Sequence, residues 1–361
     1  MKIVFVISSL EAGGAERVLA QLATYWADEK GHDVHIVIFR PKGSISFYHL
    51  PPTITLHTLG DLKRNNASFS SWVKRFIFSL GGLRTLVKDL NPAYVISFVS
   101  VINIVTLLAT LGLKIPLMIS ERVDPRYHNI TLLGTVLRRL LYPFATKLIV
   151  QGEYIASYFP YLKGRLHVIP NPVSVPGQLA SKKEIKKLIH VGRLTPQKGQ
   201  DILLKAFAKA LQTCPDWHLD LYGQGAEKNA LQLLAKDLNI QGKVSFQGVV
   251  QDIQEKISQA NLFCFPSRFE GFPNALGEAM ALGLPVVASD CGGNLELITQ
   301  GENGLICPID DVEAFAKALV RLMTQPDYGK MLGNQARKSM EKFSPKTIFQ
   351  KWDKVISKKL T

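Results

Sequence analysis

A chain of 361 residues with 47% hydrophobic side chains suffices for two domains, each with its own core, and it contains no long low-complexity stretch, which excludes a disordered protein. Its net charge of +14 is uneven: residues 1–170 hold 19 basic and 10 acidic side chains, and the remainder holds 24 and 19. That bias points to phosphate-bearing partners (nucleic acid, anionic lipid or a phosphorylated small molecule) without choosing among them.

The opening MKIVFVISSLEAGG has an apolar run of only about seven residues before acids follow, which reads as a buried strand rather than a signal peptide. Short apolar, β-branched runs then recur: HDVHIVIF, AYVISFV, PLMISE, KLIVQ and LHVIP, separated by helical stretches such as AERVLAQLATYWADEK. Residues 91–113 carry no charge. Ser97, Ser100, Asn103, Thr106, Thr110 and Gly112 interrupt them, so the segment reads as a strand and a short buried helix rather than a membrane span. The pattern repeats in KLIHVGR, WHLDLYG, KVSFQG, LFCFPS and LPVVASD. Alternation of this kind predicts α/β domains with parallel, doubly wound sheets.

The predicted divisions are an N-terminal Rossmann-like domain over 1–170, a second over 171–344 and a final helix over 345–361. IPNPVSVPG, residues 169–177, is the proline-stiffened join. The final helix carries Phe349, Trp352 and Ile356 at helical spacing and is expected to cross back to the first domain. Cys214, Cys264, Cys291 and Cys307 stand far apart without CxxC spacing, which argues against a zinc site and fits reduced thiols in a cytosolic protein. Two doubly wound domains facing each other would form a cleft at the carboxyl ends of their strands, where ligands of such sheets bind.

Several strand–turn–helix junctions carry ligand chemistry. In SSLEAGGAERVLAQL, Gly13 and Gly14 allow close backbone approach, and the free N–H groups of the helix start favour an anion. The spacing is not GxGxxG, so no dinucleotide site is indicated; a plain glycine turn is the competing reading. In HVGRLTPQKGQD, Arg193 and Lys198 are displayed after a strand, where they suit a diphosphate or are simply solvated cations. Leu221 to Leu231 forms another such turn, and Gly248 in FQGVVQD is placed to bring backbone amides near a base. In SRFEGFPNALGEAM, Glu270 lies in a loop, Asn274 is a candidate N-cap, and Glu278 lies in the first turns of the helix. Carboxylates on two elements accept hydrogen bonds from vicinal diols while helix-start amides hold a phosphate, a pairing that suits a nucleotide-sugar.

Residues 267–297 resemble the glutamate–seven residues–glutamate motif of the retaining family-4 glycosyltransferases, which have the GT-B fold of two Rossmann-like domains. The likeness extends to GGAE (13–16), IPNPV (169–173), GRLTPQKG (192–199) and GGNLELI (292–298). It implies a hexosyltransferase in which Glu278 holds the ribose hydroxyls, Glu270 the donor-sugar hydroxyls, and Arg193 and Lys198 the departing diphosphate. Gly13 and Gly14 would sit near the donor phosphate and sugar, and the backbone at Asn274, Ala275 and Leu276 would complete the phosphate cradle. No Asp-x-Asp motif is present, so Arg193 and Lys198 are expected to replace a metal, and no cofactor beyond the donor is expected. Many relatives carry histidine where this chain has Arg122, in ISERVDPRYH, so a histidine shuttle there is excluded. Glu121 and Arg122 become acceptor or phosphate candidates, against a structural ion pair among Glu121, Arg122 and Asp124.

Between the second strand and YVISFV, Lys63, Arg64, Lys74, Arg75, Arg84 and Lys88 mix with Phe69, Trp72, Phe76, Ile77 and Phe78. A basic helix with aromatic residues reads as a membrane-surface element, or as an ordinary amphipathic helix. Transferases resembling this chain extend undecaprenyl-diphosphate-linked glycans, which implies a lipid-linked acceptor, contact of Lys74 and Arg75 with its diphosphate, and a place on the inner face of the cell membrane. Likeness to GalNAc-type relatives implies a UDP-N-acetylhexosamine donor and a role in surface glycan assembly. A sugar-nucleotide epimerase and a non-catalytic membrane or nucleic-acid binder are the rival functions; RNA-binding motifs are absent, and no nucleic-acid partner is expected.

Overall fold

Every strand the alternation implies forms in the computed structural model, which describes residues 1–11, 13–41, 43, 46–60, 69–127, 130–174 and 186–357, with the side chains of 69–75 left aside. The chain divides into two units, Met1–Asn171 with Phe349–Thr361, and Pro172–Ile348.

The first unit runs β1 (Lys2–Ile7), α1 (Gly14–Thr24), β2 (Asp33–Ile38), β3 (Ile54–Thr58), α2 (Phe69–Leu90), β4 (Tyr94–Phe98), α3 (Ser100–Thr110), β5 (Leu117–Ser120), α4 (Leu132–Leu141), β6 (Lys147–Val150), α5 (Glu153–Ala156) and β7 (Leu166–Val168). Its strands pair in parallel in the order β3-β2-β1-β4-β5-β6-β7. Ile3–Ile7 and Val95–Phe98 are fully buried, as strands covered on both faces must be. One helical layer is ordered α2, α3, α4, with α3 packed against both neighbours. Within it, Arg84 of α2 donates to the carbonyls of Ala109 and Leu111, each at 2.8 Å, and so satisfies the end of α3. No helix among the described residues is long and apolar enough to cross a membrane.

The second unit runs β8 (Lys187–Val191), α6 (Gln200–Leu211), β9 (His218–Tyr222), α7 (Lys228–Asp237), β10 (Val244–Gly248), α8 (Ile253–Ser258), β11 (Leu262–Phe265), α9 (Asn274–Ala281), β12 (Val286–Ser289), α10 (Gly292–Leu295), β13 (Leu305–Cys307), α11 (Val312–Thr324), α12 (Pro326–Met340) and the first turn of α13 (Pro345–Ser357), most of which belongs to the first unit. All six strands are parallel, in the order β10-β9-β8-β11-β12-β13. This is a Rossmann order, reversing direction between β8 and β11. The four cysteines are free and buried.

From Phe349 onward the chain belongs to the first unit. Trp352 is fully buried there, edge-on to Trp26 at 6.2 Å and stacked on Phe98 at 6.2 Å. Asp353 accepts from Tyr25 Oη and Trp26 Nε1, each at 2.8 Å, and pairs with Lys30 at 3.2 Å. Tyr94 Oη donates to the Ile356 carbonyl at 2.7 Å.

Two strands had no counterpart among the predicted runs, β3 and β13. Both lie at sheet edges, where a short strand needs less apolar sequence. Asp201 lies in the first turn of α6. The predicted basic segment is helical from Phe69, whereas Lys63 and Arg64 fall outside the described residues, as do the side chains of Phe69, Trp72, Lys74 and Arg75.

Candidate active site

In a doubly wound sheet the crevice opens where strand order reverses, beyond the carboxyl ends of the two central strands. In the second unit those are β8 and β11. The loops that follow them, residues 192–199 and 266–273, carry Arg193, Lys198 and Glu270. Lys198 Nζ meets Glu270 Oε1 at 2.5 Å, with the two side chains only 14% and 7% exposed, and the ammonium lies 4.9 Å from the centre of the Phe265 ring. Two predicted site residues 72 positions apart are thus brought together as an ion pair.

The loops are held by further bonds. Gln197 donates to the Phe269 carbonyl at 2.9 Å, and Arg268 N–H to the Gln197 carbonyl at 2.8 Å. The Arg268 guanidinium forks onto Asp201 at 2.9 and 3.1 Å, reaches Asp310 at 2.8 Å and also donates to the Pro196 carbonyl. Beneath them, His190 is fully buried and donates from Nδ1 to the Cys264 carbonyl at 2.9 Å. Its Nε2 therefore accepts from Gln200 Nε2, at 3.1 Å, and the same amide also donates to the Arg193 carbonyl at 2.9 Å. Burial pushes the His190 pKa down to about 4, so the ring is neutral and this tautomer persists at neutral pH. Gly199 is required where it stands: its φ is +65°, and a Cβ would fall 2.1 Å from the Pro266 carbonyl oxygen.

Arg193 projects outward from its loop and is exposed. Glu278 is buried on α9. The helix begins one residue earlier than expected: Pro273 holds the cap position, with no side-chain cap bond, and Asn274 is the first helical residue. Asn274 N–H donates to the Phe272 carbonyl at 3.0 Å, so of the predicted cradle the amides of Ala275 and Leu276 come next in the first turn, where a helix supplies no partner of its own. Gly248 ends β10 with φ +73°, and its carbonyl accepts from Gly223 N–H at 2.7 Å. Three buried polar atoms beyond the strand ends have no hydrogen-bond partner among the described residues: Thr195 Oγ1, Ser267 Oγ and Asn294 Oδ1.

The predicted residues of the first unit make contacts within that unit. Gly13, extended at φ −167°, precedes α1, and both its N–H and its carbonyl bond the Tyr48 hydroxyl, at 2.9 and 2.7 Å. The Glu16 carboxylate lies against it, 2.2 Å from where a Cβ would stand. At the helix start, expected to be open to an anion, the Gly13 N–H is thus taken by the Tyr48 hydroxyl. Glu121, fully buried, accepts from Ser100 Oγ at 2.8 Å and from the Tyr142 hydroxyl. Burial raises its pKa against the pull of those donors. Arg122 does not pair with Glu121 or Asp124: its Nη1 donates to Asn171 Oδ1 at 2.7 Å, and its guanidinium lies over Phe98 at 4.7 Å and Trp352 at 5.6 Å. Burial lowers its pKa to about 9, which leaves it charged at neutral pH. Asp124 bonds Arg126 instead. Sequence reasoning passed over Arg268, Gln200 and His190. Arg268 stands two residues before Glu270, and only the fold reveals that it spans to Asp201 and Asp310.

The chain is similar to known proteins along most of its length. The model of "Glycosyltransferase Family 4" matches residues 12–175, and that of "Glycosyl transferases group 1" matches residues 175–339. A Campylobacter jejuni protein named "GalNAc-alpha-(1->4)-GalNAc-alpha-(1->3)-diNAcBac-PP-undecaprenol alpha-1,4-N-acetyl-D-galactosaminyltransferase" is 30% identical over 366 residues, covering 99% of this chain and 98% of its own. A second from the same organism, an N-acetylgalactosamine-N,N'-diacetylbacillosaminyl-diphospho-undecaprenol 4-alpha-N-acetylgalactosaminyltransferase, is 27% identical over 358 residues, 95% of each chain. Among solved structures, Anabaena HepE in complex with UDP and glucose superposes with a TM-score of 0.82 at 21% identity, covering 99% of this chain and 100% of its own. Sucrose-phosphate synthase from Thermosynechococcus elongatus gives 0.84 at 18%, covering 98% of each. The fold shared with these is GT-B, built of two parallel-sheet Rossmann-like domains, and the chain belongs to the glycosyltransferase family that the two matched models describe.

Proposed function

We propose that the protein is a retaining, metal-independent transferase that moves an N-acetylhexosamine from a UDP donor onto an undecaprenyl-diphosphate-linked glycan, at the inner face of the cell membrane, in surface glycan assembly. The observation that carries the reading is the Lys198–Glu270 pair at the strand-order reversal of the second unit. End-to-end likeness to transferases named for GalNAc and undecaprenol-linked acceptors, and fold likeness to a protein solved with UDP, support the choice of substrates.

In this reading the donor diphosphate lies beside Lys198 and Arg193, against the amides of Ala275 and Leu276. Glu278 accepts hydrogen bonds from the ribose. The incoming donor divides the ion pair: Lys198 turns to the phosphate, while Glu270 accepts from the sugar hydroxyls. As the anomeric C–O bond breaks, charge grows on the β-phosphate, where fixed cations and a helix start are worth most. The acceptor hydroxyl attacks from the same face, and its proton leaves with the diphosphate. Arg268 and the neutral His190–Gln200 bridge hold the loop that carries the cations, so that no reorganisation is required at the moment of transfer. No cofactor beyond the donor enters.

The test is transfer from UDP-GalNAc and UDP-GlcNAc to a short-chain polyprenyl-diphosphate glycan in chelator, with the product linkage read by NMR. An α-linked product in chelator is expected. A β-linked product, or conversion of the donor sugar without any acceptor, refutes the reading.

A further inference from the structure

Helix α4 has its apolar side outward. At 100° per residue, Leu132, Leu133, Val136, Arg139 and Leu140 share an arc of about 120°, and all five are exposed. Arg138 and Leu141 are the buried residues of this helix. A helix that served only the core of its own domain would show the reverse. The local sequence nonetheless secures the helix: the Thr131 hydroxyl caps it, accepting from Gly134 N–H at 3.1 Å, and Arg138 is anchored by its bond to Tyr158 Oη at 2.8 Å.

The outward leucines have company. Among the described residues, seven large hydrophobic side chains expose at least 61% of their surface. Six of these (Ile77, Phe78, Leu132, Leu133, Leu140 and Phe144) lie on α2, on α4 or in the turn directly after α4; the seventh, Leu233, is alone on α7. Helices α2 and α4 both flank α3 in one layer of one unit. Scattered exposed leucines need no explanation, whereas this concentration in one layer does.

The charge around them selects the partner. Residues 76–152 hold eight basic and three acidic side chains; Arg122, Arg138 and Lys147 are buried, which leaves Arg84, Lys88, Lys114, Arg126 and Arg139 at least partly exposed. Of the three acids, Glu121 and Asp124 are buried, and only Asp89 is exposed. Arg139 sits within the apolar arc, its guanidinium 5.1 Å from the centre of the Tyr161 ring, an arginine–aromatic pair suited to the headgroup level of a bilayer. Apolar side chains for the acyl boundary, set in a layer nearly free of exposed acid, complement an anionic lipid surface.

We infer that the α2–α3–α4 layer of the first unit is a docking surface for an anionic lipid bilayer, with α4 inserting Leu132, Leu133, Val136 and Leu140. This deepens the proposed function and rests on its membrane-borne acceptor for its purpose, though not for its observations. The sequence had offered α2 alone as a membrane element; the packing adds α4 and makes it the apolar partner.

The test is co-sedimentation of the full chain with phosphatidylcholine vesicles containing or lacking phosphatidylglycerol, with neither donor nor acceptor present. Wild type is expected to partition onto the anionic vesicles. Leu133→Ser/Leu140→Ser is expected to lose at least tenfold in partition with an unchanged melting temperature, since both side chains are exposed, while Leu233→Ser partitions as wild type. Partition of the double variant within twofold of wild type overturns the inference, as does wild type remaining in the supernatant. A wild-type dimer in vesicle-free buffer that Leu133→Ser/Leu140→Ser dissociates also overturns it, because the face then belongs to a second copy. A chain that partitions but transfers no sugar refutes the proposed reaction and leaves the docking surface standing. A chain that transfers sugar to a water-soluble acceptor without partitioning refutes the docking surface alone.

Discussion

Replacing Lys198 by alanine strikes both the fold and the proposed chemistry, and the structure separates the two costs. Lys198 and Glu270 are 14% and 7% exposed, so removing the ammonium leaves a mostly buried carboxylate without its counter-charge. Breaking a fully buried pair costs about 3–5 kcal/mol; residual exposure here reduces that to about 2–3 kcal/mol. For a unit of this size the melting temperature then falls by roughly 5–10 °C. Turnover measured below that transition falls further, by about a hundred- to a thousandfold, the loss expected when one fixed group stabilising developing charge is removed. The double variant Lys198→Met/Glu270→Leu replaces the pair by apolar side chains of similar volume. Its stability is expected to return to within about 1 kcal/mol of wild type, while turnover stays as low as in the single variant or lower. Urea unfolding and initial rates with UDP-GalNAc supply both readouts. Recovery of turnover in the double variant, or a less than tenfold loss in Lys198→Ala, refutes the role assigned to the cation.

Three further outcomes follow from particular contacts. His190 has its pKa lowered to about 4 in the fold, against an ordinary value of 6.5, so between those values the unfolded chain binds the extra proton. Its contribution is fully present above pH 6.5 and is lost as pH falls toward 4, by about 3 kcal/mol in all. The fall in urea midpoint from pH 7 to 4.5 should therefore be smaller in His190→Gln, and an equal fall contradicts the burial argument; His32 and His57, also lowered by burial, add to the fall in both proteins. Asp353→Ala removes the acceptor of the buried Trp26 indole N–H and of Tyr25 Oη, and should cost the first unit about 2–3 kcal/mol by calorimetry, with Asp353→Asn recovering part; an unchanged transition contradicts it. Gly199→Ala combines a left-handed φ with a Cβ 2.1 Å from a carbonyl oxygen, so it should lower both turnover and stability, the latter by more than about 1 kcal/mol, whereas Gly242→Ala, with nothing within 4 Å, should be neutral; equal effects refute the steric account.

The central parallel strands were legible because both faces of each are covered, which forces continuous apolar runs such as KIVFVI and LFCF. The edge strands β3 and β13 were not, since ITLHT is only partly buried and LIC is three residues long. Arg193, Lys198, Glu270 and Glu278 were readable from loops at strand ends, yet contact between Lys198 and Glu270 depends on β8 and β11 being neighbours, which only the sheet order decides. At Gly13 the glycines suggested open amides, but Tyr48, 35 residues away, bonds to the backbone there. At α4 the periodicity of LLGTVLRRLL is plain, but which side faces out depends on what packs beneath, and nothing local announces that Arg138 goes inward.

The most direct measurement of the central claim, that the strand-order reversal of the second unit holds a nucleotide-diphosphate sugar, is calorimetric titration of UDP into wild type and Glu278→Ala under matched conditions. Wild type should bind, and the variant should bind at least tenfold more weakly while remaining folded, through the loss of a charge-assisted hydrogen bond worth about 1.5–3 kcal/mol. Equal affinities in the two proteins would contradict the account.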